Sequence, residues 1–379
     1  MTPSVEIVPI GDAAGRKRFV RFAWQVYADD PHWVPPLIGS RLKELDPARG
    51  PFFRHGEAAL FMARRGGRDL GTIVAWINHR ANAYRQEQVA GFGYFEVLED
   101  YPAAEALLST AANWARTRGM TLLRGPLHFS TEDSPGVLIE GFDRPPVLLM
   151  GHSPPYYADF LTRFGLRKYR DAYAYRVEVA PFGGEISNLP PKILRAAEVA
   201  RRRYGASVRP LRLEAWEDEV RRALALFNQA LGYQREHVPM AEAEFRHFAE
   251  ELRPIVDPAL TLFVEVDGEP VGLSITLPDF NQVLRRMNGR LFPLGWLRFW
   301  WYRRRITVVS VKILGVLERY RGRGLDALLY VETARQILAR GYDWVDFSLI
   351  AEENVMANRL AQMVGGQVYK VYRTYQMAL

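Results

Sequence analysis

The chain has 379 residues, contains no cysteine and carries a formal net charge of +7. The lack of cysteine excludes disulfide bonds, thiolate metal ligands and a cysteine nucleophile. Because a domain averages about 100–200 residues, this length predicts two or three domains. The amino terminus lacks a basic segment followed by an apolar core, and no apolar stretch approaches the about 20 residues that span a bilayer. We therefore expect a cytoplasmic protein.

The first half of the chain alternates strand and helix patterns. Period-two apolar runs predict strands at Val5–Ile10, Leu60–Ala63, Thr72–Ile77 and Gly91–Leu98, and apolar spacings of three and four predict helices around Phe19–Val26 and Leu107–Ala115. The turn between the last strand and the last helix is Glu99-Asp100-Tyr101-Pro102, which has no paired glycines. Its carboxylates repel a pyrophosphate, so we expect this half to lack a phosphate site.

The second half repeats this order after a segment rich in proline and glycine, Pro181–Pro191. Strands are predicted at Val208–Leu213, Thr261–Val266, Val271–Leu277, Val308–Val316 and Trp344–Ile350, helices at Glu217–Leu231, Ala241–Leu252 and Val355–Val364, and a closing strand pair ends at Leu379. Asp267-Gly268 predicts a tight hairpin between two of the strands. We predict a degenerate first domain over 1–180, a linker over 181–206 and a second domain over 207–379.

A turn rich in arginine and glycine, Arg319-Tyr320-Arg321-Gly322-Arg323-Gly324, follows the predicted strand Val308–Val316. After it, apolar residues from Ala327 to Leu338 recur at spacings of three and four, which predicts a helix. The glycines permit positive φ angles, so N–H groups near the start of the helix can converge on an anion. The arginines add donors that suit phosphate oxygens. A solvated basic turn is the alternative, and the strand-loop-helix context favours a phosphate site.

The spacing Arg-x-x-Gly-x-Gly resembles the pyrophosphate loop of the acyl-CoA N-acyltransferases of the GNAT superfamily. This resemblance implies an α/β chain of two tandem GNAT-like domains, each with a mixed, mostly antiparallel sheet flanked by helices. It implies acyl-CoA or acetyl-CoA as cosubstrate and no metal, and the histidines show no metal-ligand spacing. The cofactor-binding residues that it implies are Leu314, Val316 and Leu317 of the strand, Arg319, Arg321, Gly322, Arg323 and Gly324 of the loop, and Asn354.

Longer strings over nearly the whole chain resemble a bacterial family of tandem-domain proteins related to YghO. They include HWVPPL (32–37), PFFRHGEAALFMA (51–63), GPLHFSTEDSPGVLIEGFDRPP (125–146), NGRLFPLGWLRFWWYRR (288–304) and GVLERYRGRGLDALLY (315–330). Some members are linked to ceramide synthesis, in which a long acyl chain is placed on a sphingoid-base amine. The resemblance therefore implies an N-acyltransferase whose acceptor is a primary amine, with a lipid amine as one candidate.

Direct acyl transfer needs a base for the amine, a donor for the developing oxyanion and an acid for the thiolate. Candidate catalytic residues are Glu352 and Asn354 after one strand, Asp279 at the end of another, and Tyr375 near the carboxyl terminus, with Tyr369 and Tyr372 as alternative tyrosines. Ligands of open α/β sheets bind at the carboxyl ends of strands. The run Glu352 to Asn354 also suits an ordinary helix cap, so both interpretations stay open.

The loop from Ser130 to Pro146 exceeds the usual length of about 4–6 residues, so we expect it to cover the acceptor site. The candidate acceptor-binding residues are His128, Ser130, Glu140, Asp143, Tyr156 and Tyr157. They lie in or near this loop in the first half of the chain.

The segment Phe280–Leu317 contains eight basic residues and no acidic one. Within 284–305, tryptophans alternate with arginines, which predicts a peripheral contact with an anionic membrane. The alternatives are a core helix with a basic solvated face and a nucleic-acid surface, and nucleic acid is the less expected. For the whole chain, the alternatives are a noncatalytic acyl-CoA or lipid-binding protein and an aminoacyl-tRNA-dependent transferase. We expect a monomer or a homodimer.

Overall fold

The computed structural model describes residues 4–129, 136–232, 237–290 and 295–379, with 295–298 described as backbone. The chain forms two compact units. Unit 1 consists of Met1–Tyr173, Asn281–Tyr302 and Lys370–Leu379, and unit 2 consists of Ala174–Phe280 and Arg303–Tyr369. Each unit is therefore assembled from segments that are distant in sequence, and the domain limits 1–180 and 207–379 stay a prediction.

Unit 1 is a sheet flanked by helices. Its strands are β1 (Glu6–Ile10), β2 (Gly56–Arg65), β3 (Arg68–Asn78), β4 (Val89–Val97), β5 (Leu122–Gly125), β6 (Val137–Glu140) and the start of β7 (Arg167–Glu178), and its helices are α1 (Ala13–Val26), α2 (Ile38–Glu44), α3 (His79–Arg85), α4 (Tyr101–Arg116) and α5 (Tyr156–Phe164). The order is β1-β2-β3-β4-β5-β13, where β13 (Gln367–Ala378) contributes its last residues. Only β4 and β5 run parallel among these neighbours.

Unit 2 has the same kind of sheet. Its strands include β8 (Ser207–Pro210), β9 (Thr261–Val266), β10 (Glu269–Pro278), β11 (Val308–Val316) and β12 (Trp344–Ala351), and its helices are α6 (Pro191–Tyr204), α7 (Trp216–Ala230), α8 (Glu242–Leu252), α11 (Leu325–Arg340) and α12 (Val355–Met363), while α9 (Asn281–Leu284) and α10 (Gly295–Tyr302) belong to unit 1. The order is β12-β11-β10-β9-β8, and only β11 and β12 run parallel. The mixed α/β class predicted from the sequence is confirmed.

Local sequence accounts for the elements around the loop of unit 2. Asp267 and Gly268 have φ angles of 53° and 79°, as the two-residue turn between β9 and β10 requires. Strand β11 begins and ends at the predicted residues. Helix α11 is bounded by Gly324 and Gly341, both in the left-handed region, and its buried leucines join the core of the unit.

The segments 181–206 and 367–378 differ from what the sequence patterns suggested. Residues 191–204 of the expected linker form α6, whose apolar face packs on α11. The predicted closing strand pair is wrong, because residues 367–378 form the single strand β13. No turn residue interrupts this run, so the chain has no place to reverse.

Candidate active site

The arginine-glycine loop of unit 2 leads into an uncapped helix. Glu318–Tyr320 form a 3₁₀ turn, and Gly322 and Gly324 have φ angles of 72° and 79°. Gly324 is the N-cap of α11 and offers no side chain to the first helical N–H groups. The first intrahelical bond runs from the Leu328 N–H to the Gly324 carbonyl at 2.9 Å. The preceding N–H groups are therefore suitable donors for an anion.

The arginines of the loop lie beside aromatic rings. The guanidinium of Arg319 is 5.2 Å from the Tyr320 ring, and that of Arg323 is 5.1 Å from the same ring. Arg321 donates to the carbonyl of Ala230 at the end of α7, at 3.1 Å. The loop thus presents positive charge, and the Tyr320 ring and the Ala230 carbonyl partly hold its arginine side chains in place.

Strands β11 and β12 separate just before this loop. Their pairing runs from Val308 and Trp344 to Val311 and Phe347, and within the described residues it goes no further. On its other side, β11 stays paired with β10, and the Leu317 N–H donates to Val271 at 2.9 Å. Because successive N–H groups of a strand alternate in direction, those of Leu314 and Val316 point away from β10.

In unit 1, the parallel pair β4 and β5 corresponds to β11 and β12. Where β4 and β5 stop pairing, the following segment of the chain takes the place of β5. Pairing of β4 with β5 ends at Gly91, after which the Leu127 N–H donates to the Phe92 carbonyl at 2.7 Å. A Cβ on Gly93 would stand 1.6 Å from the Leu127 carbonyl oxygen, so the two segments are in direct backbone contact. The backbone around Leu127 therefore occupies the edge of β4 at Phe92 and Gly93.

The N-terminal end of α4 is already occupied by a carboxylate of the protein itself. The Asp100 carboxylate accepts from the Ala103 N–H at 3.0 Å and pairs with Arg65 at 2.5 Å. The Arg65 hydrogen bond lowers the pKa of Asp100, so the carboxylate is charged at neutral pH. The acidic turn predicted to lack a phosphate site is thus a self-capped helix start.

A buried polar network lies where β11 and β12 separate. The Lys312 ammonium donates to the Ser348 hydroxyl at 2.9 Å and stands 3.7 Å from the Asp346 carboxylate. Asp346 is fully buried and also accepts from the hydroxyls of Ser310, Ser348 and Tyr369. Burial lowers the pKa of Lys312, while the negative charges of Asp346 and Asp279 oppose that change.

Of the four residues that the sequence analysis proposed as catalytic, three belong to unit 2 and Tyr375 belongs to unit 1. Asp279 is buried directly after β10, and its charge acts on Lys312. Asn354 caps α12 by accepting from the Ala357 N–H at 3.2 Å, and Glu352 precedes it in the same turn. Tyr375 is buried in the core of unit 1, opposite Gly125 of β5. Only Asp279 is therefore brought to the buried network.

Unit 1 contains a cavity of about 230 Å³. Glu96, near the end of β4, lines it, and the Tyr157 hydroxyl donates to the Glu96 carboxylate at 2.9 Å. Burial raises the pKa of Glu96 to about 7, although hydrogen bonds with Tyr27 and Tyr157 and the charge of Arg41 oppose the rise. The cavity thus holds a carboxyl group that changes charge near neutral pH.

Two of the predicted acceptor residues line this cavity. Tyr157 does so through the contact with Glu96, and the His128 ring stacks on Tyr94 with centroids 4.1 Å apart. The Tyr156 hydroxyl donates to the Val97 carbonyl at 2.8 Å, close to the end of β4.

The other three lie elsewhere or are not described. Asp143 pairs with its neighbour Arg144 at 2.7 Å, and Glu140 is exposed at the end of β6. Ser130 lies outside the described residues, as do the next five residues of the predicted covering loop, and the described part of that loop contains strand β6.

The basic segment exposes two tryptophans. Trp300 and Trp301, at the end of α10, have 55% and 56% of their surface exposed, which argues against a core helix. Arg303–Arg305 follow directly and are also exposed. Trp296 lies among the residues described as backbone. In the part of the chain that the structure describes, no helix has the length and apolar character needed to cross a membrane.

Solved structures and curated proteins resemble this chain over almost its full length, although no family model matches it. A tandem GNAT protein from the clavulanic acid biosynthesis pathway has a TM-score of 0.59 and 14% identity, covering 99% of this chain and 98% of that one. A GCN5-related N-acetyltransferase from Sphaerobacter thermophilus has a TM-score of 0.54 and 15% identity, covering 99% and 95%. These likenesses show the fold.

The sequence relatives are more similar. A bacterial ceramide synthase of Caulobacter vibrioides is 32% identical over 391 residues, covering 99% of this chain and 98% of the relative. The chain belongs to the family of this relative and has the tandem GNAT fold. Protein YghO of Escherichia coli is 27% identical over 366 residues, covering 95% and 92%. The predicted family and acyltransferase class are confirmed.

Sequence reasoning missed two polar groups in this tandem GNAT protein. Asp346 and Ser348 alternate with apolar residues in β12, and this pattern alone suggested an ordinary strand. Glu96 is the last residue but one of β4, between buried neighbours. A polar side chain within an apolar strand was the signal that could have identified these residues.

Proposed function

We propose that the protein transfers an acyl group from acyl-CoA to a primary amine, and that the acceptor is a lipid amine. The observation that carries this proposal is the pairing of two features in unit 2. An uncapped helix start follows an arginine-glycine loop, and the strand that enters the loop has an open edge. The first feature suits the pyrophosphate of CoA, and the second suits its pantetheine arm. The name of the Caulobacter relative supports a lipid acceptor.

The residues of unit 2 fit acyl-CoA by the chemistry of their donors. The N–H groups at the start of α11 and the side chains of Arg319 and Arg323 would hold the pyrophosphate. Arg321, which already donates to Ala230, would fix the loop against α7. The N–H groups of Leu314 and Val316 would hold the pantetheine arm and the acyl carbonyl. When bound, acyl-CoA supplies a thioester carbonyl as the electrophile.

The protein must also stabilise charge and move protons. Donors along β11 beyond its last pairing with β12 would stabilise negative charge on the acyl oxygen, as fixed N–H groups do in acyl transfer. Amide formation removes a proton from the amine nitrogen and delivers one to the leaving sulfur. The buried Lys312 ammonium and the Asp346 carboxylate offer an exchangeable proton close to Leu314 in sequence. Asp279, Glu352 and Tyr375 remain proposed contributors.

A direct test uses palmitoyl-CoA and sphinganine with the purified protein. The expected result is release of free CoA thiol in step with an amide product seen by mass spectrometry. Octanoyl-CoA and ethanolamine serve as short donor and acceptor controls. Binding of CoA without amide formation for any amine would favour the noncatalytic alternative. Lack of CoA binding would refute the proposed cofactor site.

A further inference from the structure

The cavity of unit 1 contains a carboxylate that forms no ion pair with the described residues. The carboxylate of Glu96 instead forms hydrogen bonds with Tyr27 and Tyr157. The nearest positive influence is Arg41, whose guanidinium pairs instead with Glu44 at 2.8 Å. An enclosed carboxylate without a counter-ion is costly, which is why such groups are usually paired. A cationic ligand would supply the missing partner.

The walls of the cavity suit an organic cation. Tyr27, Trp33, Tyr94 and Tyr157 all line it. Trp33 stacks on Tyr27 with ring centroids 4.8 Å apart, which keeps both rings in fixed positions. Aromatic faces attract ammonium groups and also accept the apolar carbons next to them. A hydrated metal ion would gain less from such walls than an alkylammonium ion.

A buried histidine also lines this cavity. His152 is 2% exposed, and its Nε2 lies 2.7 Å from the Asp30 carboxylate. Its Nδ1 is buried and has no hydrogen-bond partner among the described residues. With the proton on Nε2, Nδ1 is an acceptor. His152 therefore has one ring nitrogen that forms no hydrogen bond with the described residues.

We propose that this cavity binds the head group of an organic amine, with Glu96 as the counter-ion and the aromatic rings as walls. This binding is independent of the proposed transfer reaction of unit 2. The chemical class is a primary alkylamine in its ammonium form. Typical small-molecule sites measure about 300–1,000 Å³, so the cavity suits a head group better than a whole lipid.

The test is calorimetry with hexylamine, without CoA. Wild-type protein should bind hexylamine at pH 8, and Glu96→Gln, which keeps the shape of the side chain, should bind at least tenfold more weakly. Glu99→Gln is the matched control, because Glu99 is an exposed glutamate three residues further along. The neutral analogue 1-hexanol should bind the wild type more weakly than hexylamine does. This difference between the two compounds should be absent in Glu96→Gln.

A measurement on the wild type keeps the inference testable if Glu96→Gln does not fold. Hexylamine should bind more tightly at pH 8 than at pH 6, because Glu96 loses its proton between these values while the amine stays charged. The other titratable or charged groups that line the cavity are Tyr27, Arg41, Tyr94, His128, His152 and Tyr157. Equal affinity at both pH values, or equal affinity of wild type and Glu96→Gln, would overturn the inference.

Calorimetry of CoA with the same samples separates the two proposals. CoA binding without hexylamine binding would overturn the cavity assignment and leave the proposed cofactor site in place. Hexylamine binding without CoA binding would support the cavity and refute the cofactor site. Glu96→Gln should bind CoA with the affinity of the wild type.

Discussion

Gly322 is the residue at which the phosphate loop is best tested. Its φ angle is 72°, and an added Cβ would meet no atom within 4 Å. We expect Gly322→Ala to strain the loop and to weaken CoA binding at least tenfold, or about 1.4 kcal/mol. Calorimetry with CoA gives the measurement.

Gly341 provides the control for that change. It has a φ angle of 67°, equally open surroundings, and a place at the opposite end of α11. Gly341→Ala should therefore cause a similar backbone strain without changing CoA affinity. Gly324 is less suitable, because its Cβ would stand 2.2 Å from the Ala196 carbonyl oxygen and disturb the contact between α6 and α11. Equal losses in Gly322→Ala and Gly341→Ala would argue against a specific loop effect.

Glu96 should make the stability of the protein depend on pH. Its pKa is raised to about 7 in the folded state, so the folded protein binds this proton more tightly than the unfolded chain does. Stability from this group is therefore lost as pH rises from about 4.3 to 7. Between pH 5 and pH 8, the free energy of unfolding of the wild type should fall by up to about 3 kcal/mol more than that of Glu96→Gln. Urea unfolding at both pH values measures this, and parallel losses would contradict it.

Substitutions of Lys312 and Asp346 should have strongly coupled effects on the free energy of unfolding. Lys312→Met leaves a buried carboxylate without its cation and should cost about 3–5 kcal/mol. The double change Lys312→Met with Asp346→Asn removes both charges and should cost less than the sum of the single changes. Denaturant unfolding of the four proteins gives the coupling energy. Lys192→Met, at an exposed position, is the control.

At the scale of elements, the open and closed strand edges predict the number of cofactors. The edge of β11 is open beyond Val311, whereas the edge of β4 is occupied by the segment around Leu127. The start of α4 is also capped by Asp100. We expect one CoA per chain in calorimetry. A stoichiometry of two would show that unit 1 also binds the cofactor.

The elements that could be predicted are those specified by local residues. Strand β11 and the hairpin turn at Asp267 follow from alternation and turn chemistry within a few positions. The Lys312 network could not be predicted, because it depends on the parallel register that places Ser310 beside Asp346. The assignment of Lys370–Leu379 to unit 1 depends on pairing with β5, which is far away in sequence. Sequence alone therefore predicted the loop but not the groups around it.

For the whole molecule, the exposed end of α10 predicts binding to anionic membranes. Trp300 and Trp301 together with Arg303–Arg305 combine apolar rings with positive charge. The protein should sediment with liposomes containing phosphatidylserine, at about 1 kcal/mol per basic residue near the surface, and should dissociate as salt rises. Replacing these three arginines by Gln should abolish sedimentation with little change in thermal stability.

A second arginine triplet controls for net charge in this experiment. Arg201–Arg203 lie in the last turn of α6 and are exposed. Replacing them by Gln lowers the net charge equally and should leave liposome binding intact. If both triple variants lose binding alike, attraction is a property of overall charge, and the membrane-contact proposal for 284–305 fails.

The division of the chain into interlaced segments has a consequence for its synthesis. Lys370–Leu379 supply the strand that pairs with β5, so unit 1 cannot be completed until these residues leave the ribosome. At about 5–20 residues per second, the nascent chain exposes an unpaired strand edge for many seconds, and such edges promote aggregation. A truncation that removes Lys370–Leu379 would thus damage unit 1, although most of that unit is made before unit 2.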